Sequence, residues 1–261
     1  MAELRNYQQQ RAVPNAGSRA DTSIDEGLRA YMIKVYNLMA LGLAITGVAA
    51  FGTMMLATTN DPAAAVATLA NGKMLTSAGV ALYGSPLKWV VMLAPLGMVF
   101  FLSARVHTMS LSGAQTAFWV FAALMGLSLS SIFLVYTAQS IVQTFFITAA
   151  AFGALSLYGY TTKRDMTGMG TFLFMGVIGL IIAMVVNIFL ASPALQFAIS
   201  AIGVLVFAGL TAYDTQKIKE MYYEGDEVLV AGRKAIMGAL TLYLDFINLF
   251  TFLLSFMGNR E

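Results

Sequence analysis

The chain has no cysteine and a single histidine, His107. That excludes disulfides, thiolate metal sites, a cysteine nucleophile and a zinc centre built on nitrogen and sulfur ligands. Charge is scarce too. Asp, Glu, Lys and Arg make up 11% of the residues, against about 25% in an ordinary soluble domain, which is too little to cover a water-facing surface. The net charge of +2 offers nothing to a nucleic acid. In place of charge there is hydrophobicity, 59% of the chain, and its distribution decides the fold class.

A spanning helix needs roughly 20 apolar residues at 1.5 Å per residue. Val35 to Asn60 is a charge-free run long enough for one span. Trp89 to Ala104 is shorter and lies between Lys88 and Arg105, whose long side chains can snorkel to the interface. Thr108 to Thr162 carries no charge and is too long for one span. It is read as two, broken near Thr137-Ala138-Gln139-Ser140. Met166 to Tyr213 is likewise a double length and divides at Ala191-Ser192-Pro193, since proline cannot donate a backbone hydrogen bond inside a helix. Ala235 to Asn259 makes the last span and contains one charge, Asp245. The expectation is an all-α membrane protein of seven transmembrane helices. A polar cytoplasmic tail, residues 1–24 and disordered, precedes a transmembrane domain over 25–261. A signal peptide is not expected, because the tail lacks an apolar core.

Lys and Arg mark the cytoplasmic side. With the N-terminus inside, twelve basic residues fall on cytoplasmic segments and three, Lys73, Lys88 and Arg260, fall outside. The reading is therefore a multi-pass protein of the cell inner membrane, N-terminus cytoplasmic and C-terminus external. In the long outer loop, Asp61-Pro62 and the alanines after it predict a short helix ended by Asn71-Gly72. Ala122, Gly126 and Ser130, four residues apart, give the third span a small-residue face for close packing.

Ionisable side chains inside a membrane cost about 2.5–3.5 kcal/mol on insertion scales and are read as functional. Asp245 is the clearest, with Thr241 and Asn248 about one turn to either side. Asp214 closes the sixth span and Arg105 the second, on the same side. The bland readings are snorkelled interfacial charges for Asp214 and Arg105, and a neutral, hydrogen-bonded carboxyl for Asp245. His107 reads as an exposed loop residue. An intramembrane serine protease needs a serine–histidine pair between helices, and the lone histidine is in a loop. A retinal protein needs a lysine in the last run, and there is none. An intramembrane aspartyl protease needs Gly-x-Gly-Asp, where this chain reads Tyr243-Leu244-Asp245. An enzyme is not expected. What remains for two buried aspartates is proton or cation handling; oxygen ligands suit Ca²⁺, with carbonyls and water completing its six to eight positions.

Two stretches carry a resemblance. Ala208-Gly209-Leu210-Thr211-Ala212-Tyr213-Asp214-Thr215-Gln216-Lys217-Ile218 is similar to the sixth-helix motif of the transmembrane Bax inhibitor motif family. Ala239-Leu240-Thr241-Leu242-Tyr243-Leu244-Asp245-Phe246-Ile247-Asn248-Leu249-Phe250 resembles its seventh-helix motif. The resemblance implies six helices surrounding a central seventh and a pH-sensitive Ca²⁺ leak. In it Asp214 and Asp245 form a hydrogen-bonded gating pair and possible Ca²⁺ site, with Arg105 as a latch on the closed state. The partners it implies are calcium ions, protons and the lipid membrane. No resident cofactor is implied. Some bacterial members carry a second-helix glutamate about three turns before the arginine; here Met92-Leu93-Ala94-Pro95 has no acid, so the outer part of an ion path lacks that carboxylate. Other bacterial relatives regulate a membrane-bound protease, which implies the alternative role of a binding partner without ion conduction.

Overall fold

The computed structural model describes the backbone of residues 16–260 and the side chains of residues 26–260. Of the expected polar tail, residues 1–15 lie outside the described residues, and from Ala16 the backbone already belongs to the first helix. Seven long helices are present among the described residues: α1 (Ala16–Ala57), α2 (Leu87–Arg105), α3 (Leu111–Leu129), α4 (Ala138–Thr161), α5 (Thr167–Leu190), α6 (Pro193–Glu220) and α7 (Val228–Met257). Each includes a stretch long and apolar enough to cross a membrane.

The breaks fall where local chemistry places them. Thr137 accepts a hydrogen bond from Ser140 N and caps α4. Ala191 turns left-handed at φ 45°, Ser192 accepts from Leu195 N, and Pro193 opens α6, the first helical position at which its missing N–H costs nothing. Ser110 caps α3 in the same way through Gly113 N.

The outer loop differs from the helix expected there. Asp61 Oδ1 accepts from Ala63 N at 2.9 Å and holds a single turn. The chain then forms three two-residue strands, β1 (Thr58–Thr59), β2 (Ala67–Thr68) and β3 (Met74–Leu75), in the order β1-β3-β2. Asn71-Gly72 does not terminate a helix but turns the β2–β3 hairpin, with Gly72 at φ 82°. The physical reason is that Asn-Gly is among the strongest hairpin signals, and β-branched Val66 and Thr68 beside it favour extended backbone.

Packing sorts the helices. The apolar stretch of α7 is 61% buried, and no other span exceeds 33%. Its principal contacts are with α1, α3, α4 and α6; α2 packs chiefly on α3, and α5 on α6. Gly126 is where α3 meets α1: a Cβ there would collide with the Thr46 carbonyl and Ala49. Ala122 and Ser130, on the same face, are fully buried. The outside is apolar. Phe172, Phe174, Ile182, Ile188 and Phe189 of α5 all stand exposed, a surface suited to lipid and to no aqueous setting.

The two ends are distinct. Asn71 Nδ2 donates to Leu134 O at 2.8 Å, Thr137 N to Asn259 O at 3.1 Å, and Ala191, Ser192 and Arg260 line one surface hollow. The α1–α2, α3–α4 and α5–α6 connections and the chain's last residues therefore share one end. At the other end the connections after α2, α4 and α6 are tied down by Arg233, which donates to Met109 O, and Lys219, which donates to Tyr160 O at 2.8 Å.

Candidate functional site

The site forms where α6 and α7 lie side by side, joined by the short connection Met221–Glu227. Asp214 sits six residues before the end of α6, whereas Asp245 sits well down α7. The offset is absorbed because α7 begins at Val228, so its first turns project past the end of α6. Lys234 donates to Met221 O at 3.0 Å, and Gly238 packs directly on Ile218. A Cβ at Gly238 would press into the Ile218 side chain. From that crossing, Asp214 lies four residues further into α6 and Asp245 seven further into α7.

The two carboxyls sit close enough across the α6–α7 contact for each to act on the other. A carboxylate has no proton to donate, so two such carboxyls can join by a hydrogen bond only when one proton is held between them. Asp214 is partly buried. Asp245 is 4% exposed, and its Oδ2 finds no hydrogen-bond partner among the described residues. An unpartnered buried oxygen of this kind is uncommon and marks a place where a proton, water or cation can be received.

The surroundings differ in part from the sequence expectation. Arg105 ends α2, is exposed, and among the described residues pairs with neither aspartate. The cation whose charge reaches Asp214 is instead Lys217, three residues along α6. Thr241 and Asn248 are also not joined to Asp245: Thr241 Oγ1 donates to Met237 O at 3.1 Å, and Asn248 Nδ2 to Leu244 O at 2.9 Å. His107 is exposed in the connection after α2, as expected.

Three features flank the pair that sequence reasoning did not single out. Tyr36 of α1, Ser156 of α4 and Thr215 of α6 form a hydroxyl chain, 2.6 Å from Tyr36 to Ser156 and 2.9 Å from Ser156 to Thr215. Tyr243, two residues before Asp245, shares a 2.6 Å hydrogen bond with Thr46 of α1. Gln216 is buried, accepts from Met166 N at 3.0 Å and donates to Arg164 O at 2.8 Å, fastening the start of α5 to α6. Thr211 and Thr215 at four-residue spacing were the available signal for a polar stripe on α6. The partners on α1 and α4 come from distant parts of the chain.

As a metal site the geometry is thin. No group of three or more His, Asp or Glu side chains able to hold a metal ion occurs among the described residues. Two carboxyls supply at most four oxygens, short of the six to eight of Ca²⁺. A Ca²⁺ ion held by these two side chains would need water and backbone carbonyls to complete its shell.

Seven apolar helices around a carboxyl pair shared by the last two define a polytopic α-helical membrane protein. The chain belongs to the Bax inhibitor-like family: the family described as Inhibitor of apoptosis-promoting Bax1 matches residues 28–261. It is 46% identical to the inner membrane protein YbhL of Escherichia coli over 90% of this chain and 94% of that one. It is 50% identical to a protein of Rickettsia prowazekii over 92% and 93% of the two chains. With a protein of Caulobacter vibrioides the identity is 48% over 96% of each.

Proposed function

We propose that this protein is a pH-sensitive calcium-leak channel in which Asp214 and Asp245 form the gate. The observation that carries the reading is the buried carboxyl pair bridging α6 and α7. Two carboxylates in contact in a poorly solvated site cannot both ionise cheaply, so the pair retains a proton in the closed state. Loss of that proton leaves two repelling carboxylates. The helices then loosen at the pair, and the same oxygens present a cation site. Proton return restores the hydrogen bond and closes it.

Family likeness supports this reading, with Asp214 and Asp245 at the matching motif positions. For the arginine latch the structure offers no support, because Arg105 is exposed and pairs with neither aspartate among the described residues. In this reading the end bearing the connections after α2, α4 and α6 is cytoplasmic, since the basic residues collect there. The protein would then lie in a bacterial inner membrane with its C-terminus external, acting on calcium ions and protons with no chemical catalysis.

The other reading is a membrane regulator that binds a membrane protease or another membrane protein without conducting ions. What favours it is the absence of an acid in Met92–Pro95, where some bacterial members carry a glutamate. Purified protein in liposomes loaded with a Ca²⁺ indicator separates the two. Flux that rises with pH supports the channel. Silence at every pH, with function in cells lost on deleting residues 1–20, supports the regulator.

A further inference from the structure

α1 and α4 flank α7 on one side without packing closely on each other. Between them runs a cleft in two parts. The part near the start of α1 has a volume of about 470 Å³ and is lined by Arg29, Met32, Tyr36, Phe152, Gly153 and Tyr160, among others. The part further along is about 260 Å³, lined by Leu43, Gly47, Ile141, Phe145, Phe246 and Phe250. Between Arg29 and Ala50 on α1 the two parts extend about 30 Å at 1.5 Å per residue, one hydrocarbon thickness. The second part is floored by α7 itself, through Phe246 and Phe250. The Tyr36–Ser156 hydrogen bond bridges the first.

Two observations indicate what fills the cleft. The first is charge. Arg29 is exposed at the rim, and Lys219 reaches Tyr160, another rim residue, with its ammonium 5.7 Å from that ring and bonded to the Tyr160 carbonyl. One exposed cation and two tyrosines at one end of an otherwise apolar groove, with Lys219 held against the outer tyrosine, match a phosphate headgroup at interface level with a chain below it. The second is open space. Gly153 and Gly47, one in each part, are exposed glycines at which an added Cβ would meet no protein atom within 4 Å. No close contact between helices accounts for them, and they leave room for a chain to lie against the backbone.

We propose that the α1–α4 cleft is a binding site for an anionic phospholipid. Its phosphate pairs with Arg29, and an acyl chain lies along Met32, Ile33, Met39, Phe152, Gly153 and Leu157. The lipid covers the flank of the bundle behind which Tyr36, Ser156 and Thr215 connect α1, α4 and α6. This inference does not depend on the channel reading, because it concerns occupancy of the cleft and not ion flux.

The test is native mass spectrometry of the full chain in detergent, titrated with phosphatidylglycerol and, separately, with phosphatidylcholine. The wild type should retain one phosphatidylglycerol preferentially. Arg29→Gln should erase the preference while leaving weak binding of both lipids. Gly153→Phe fills the groove from a position with free space and should weaken phosphatidylglycerol binding about tenfold or more. Gly179→Phe, at an equally open glycine on α5 away from the cleft, should bind as the wild type does. Equal retention of the two lipids by the wild type would overturn the proposal. So would wild-type affinity in Gly153→Phe, or equal loss in Gly179→Phe. If Gly153→Phe does not fold, the Arg29→Gln comparison decides: an unchanged preference overturns the proposal.

Discussion

Tyr243 of α7 and Thr46 of α1 share a hydrogen bond of 2.6 Å inside the bundle, both fully or nearly fully buried. The Thr46 hydroxyl shares its one proton between Gly42 O and Ala122 O, each 2.9 Å away, so one threonine links α7, α1 and α3 two residues from Asp245. Phe118 and Phe121 close on the Tyr243 ring edge-to-face, with centroids 5.9 and 5.3 Å away. Asp245 therefore projects from a helix whose neighbouring turn is fixed on another face.

Removing the Tyr243 hydroxyl tests that anchoring. Tyr243→Phe keeps the ring packing and deletes one hydrogen bond between helices, so it should cost about 0.5–1.5 kcal/mol. Tyr243→Ala removes the ring as well and should cost about 3–5 kcal/mol. Both follow from thermal or denaturant unfolding in detergent. A Tyr243→Phe protein as stable as the wild type would show that the hydroxyl anchors nothing.

Gly159 sets how closely α4 approaches α6. A Cβ there would collide with the Ala212 carbonyl, two residues before Asp214. Gly159→Ala should force the helices apart at a cost of about 1–3 kcal/mol. It should also shift the pH at which flux changes, because Asp214 moves with its helix. Gly179→Ala, in open space on α5, should be neutral or slightly stabilising. Equal behaviour of the two variants would contradict the close approach.

The cation beside the pair is also testable. Charge removal in Lys217→Gln should alter the pH dependence of Ca²⁺ flux, because its ammonium acts on Asp214. Arg105→Gln should leave the curve nearly unchanged, since Arg105 stands exposed at the end of α2. The reverse result would restore the latch that the family resemblance implied.

Orientation rests on charge and can be read with reporters. Fusions after Met257 and within Asn71–Lys73 should both report the external side, consistent with the twelve-to-three partition of Lys and Arg. Their agreement with each other tests the fold, because Asn259 and Asn71 both bond to the stretch 134–137 and so share one end. A cytoplasmic C-terminus would overturn the seven-span count or the orientation.

Much of this was legible before any coordinates. Runs without charge located all seven helices, and Thr137 and Pro193 located the two hidden turns, because spanning lipid leaves a backbone few options. Gly126, spaced from Ala122 and Ser130, announced a close helix contact on α3, though not that its partner is α1. The outer loop was misjudged because Asn-Gly closes a hairpin as readily as it ends a helix. Asp214 and Asp245 stood out because a carboxylate in an apolar run is conspicuous. That Arg105 stands exposed at the end of α2 was not legible, because snorkelling and buried arginines look alike in sequence. Nor could the Tyr36–Ser156–Thr215 chain be foreseen. Hydroxyl residues are cheap in membrane helices, and nothing in their local spacing tells which distant helix they will face.

The central claim is that the Asp214–Asp245 pair senses protons, and the most direct measurement is Ca²⁺ flux into liposomes between about pH 5 and 8. Wild type, Asp214→Asn and Asp245→Asn are compared at equal reconstituted amounts. In the wild type, flux should rise with pH as the shared proton leaves and the carboxylates repel. Each Asn variant removes one ionisation and keeps the shape, so its curve should flatten, with no repulsion left to open the pair. Both variants retaining the wild-type pH curve would contradict the account.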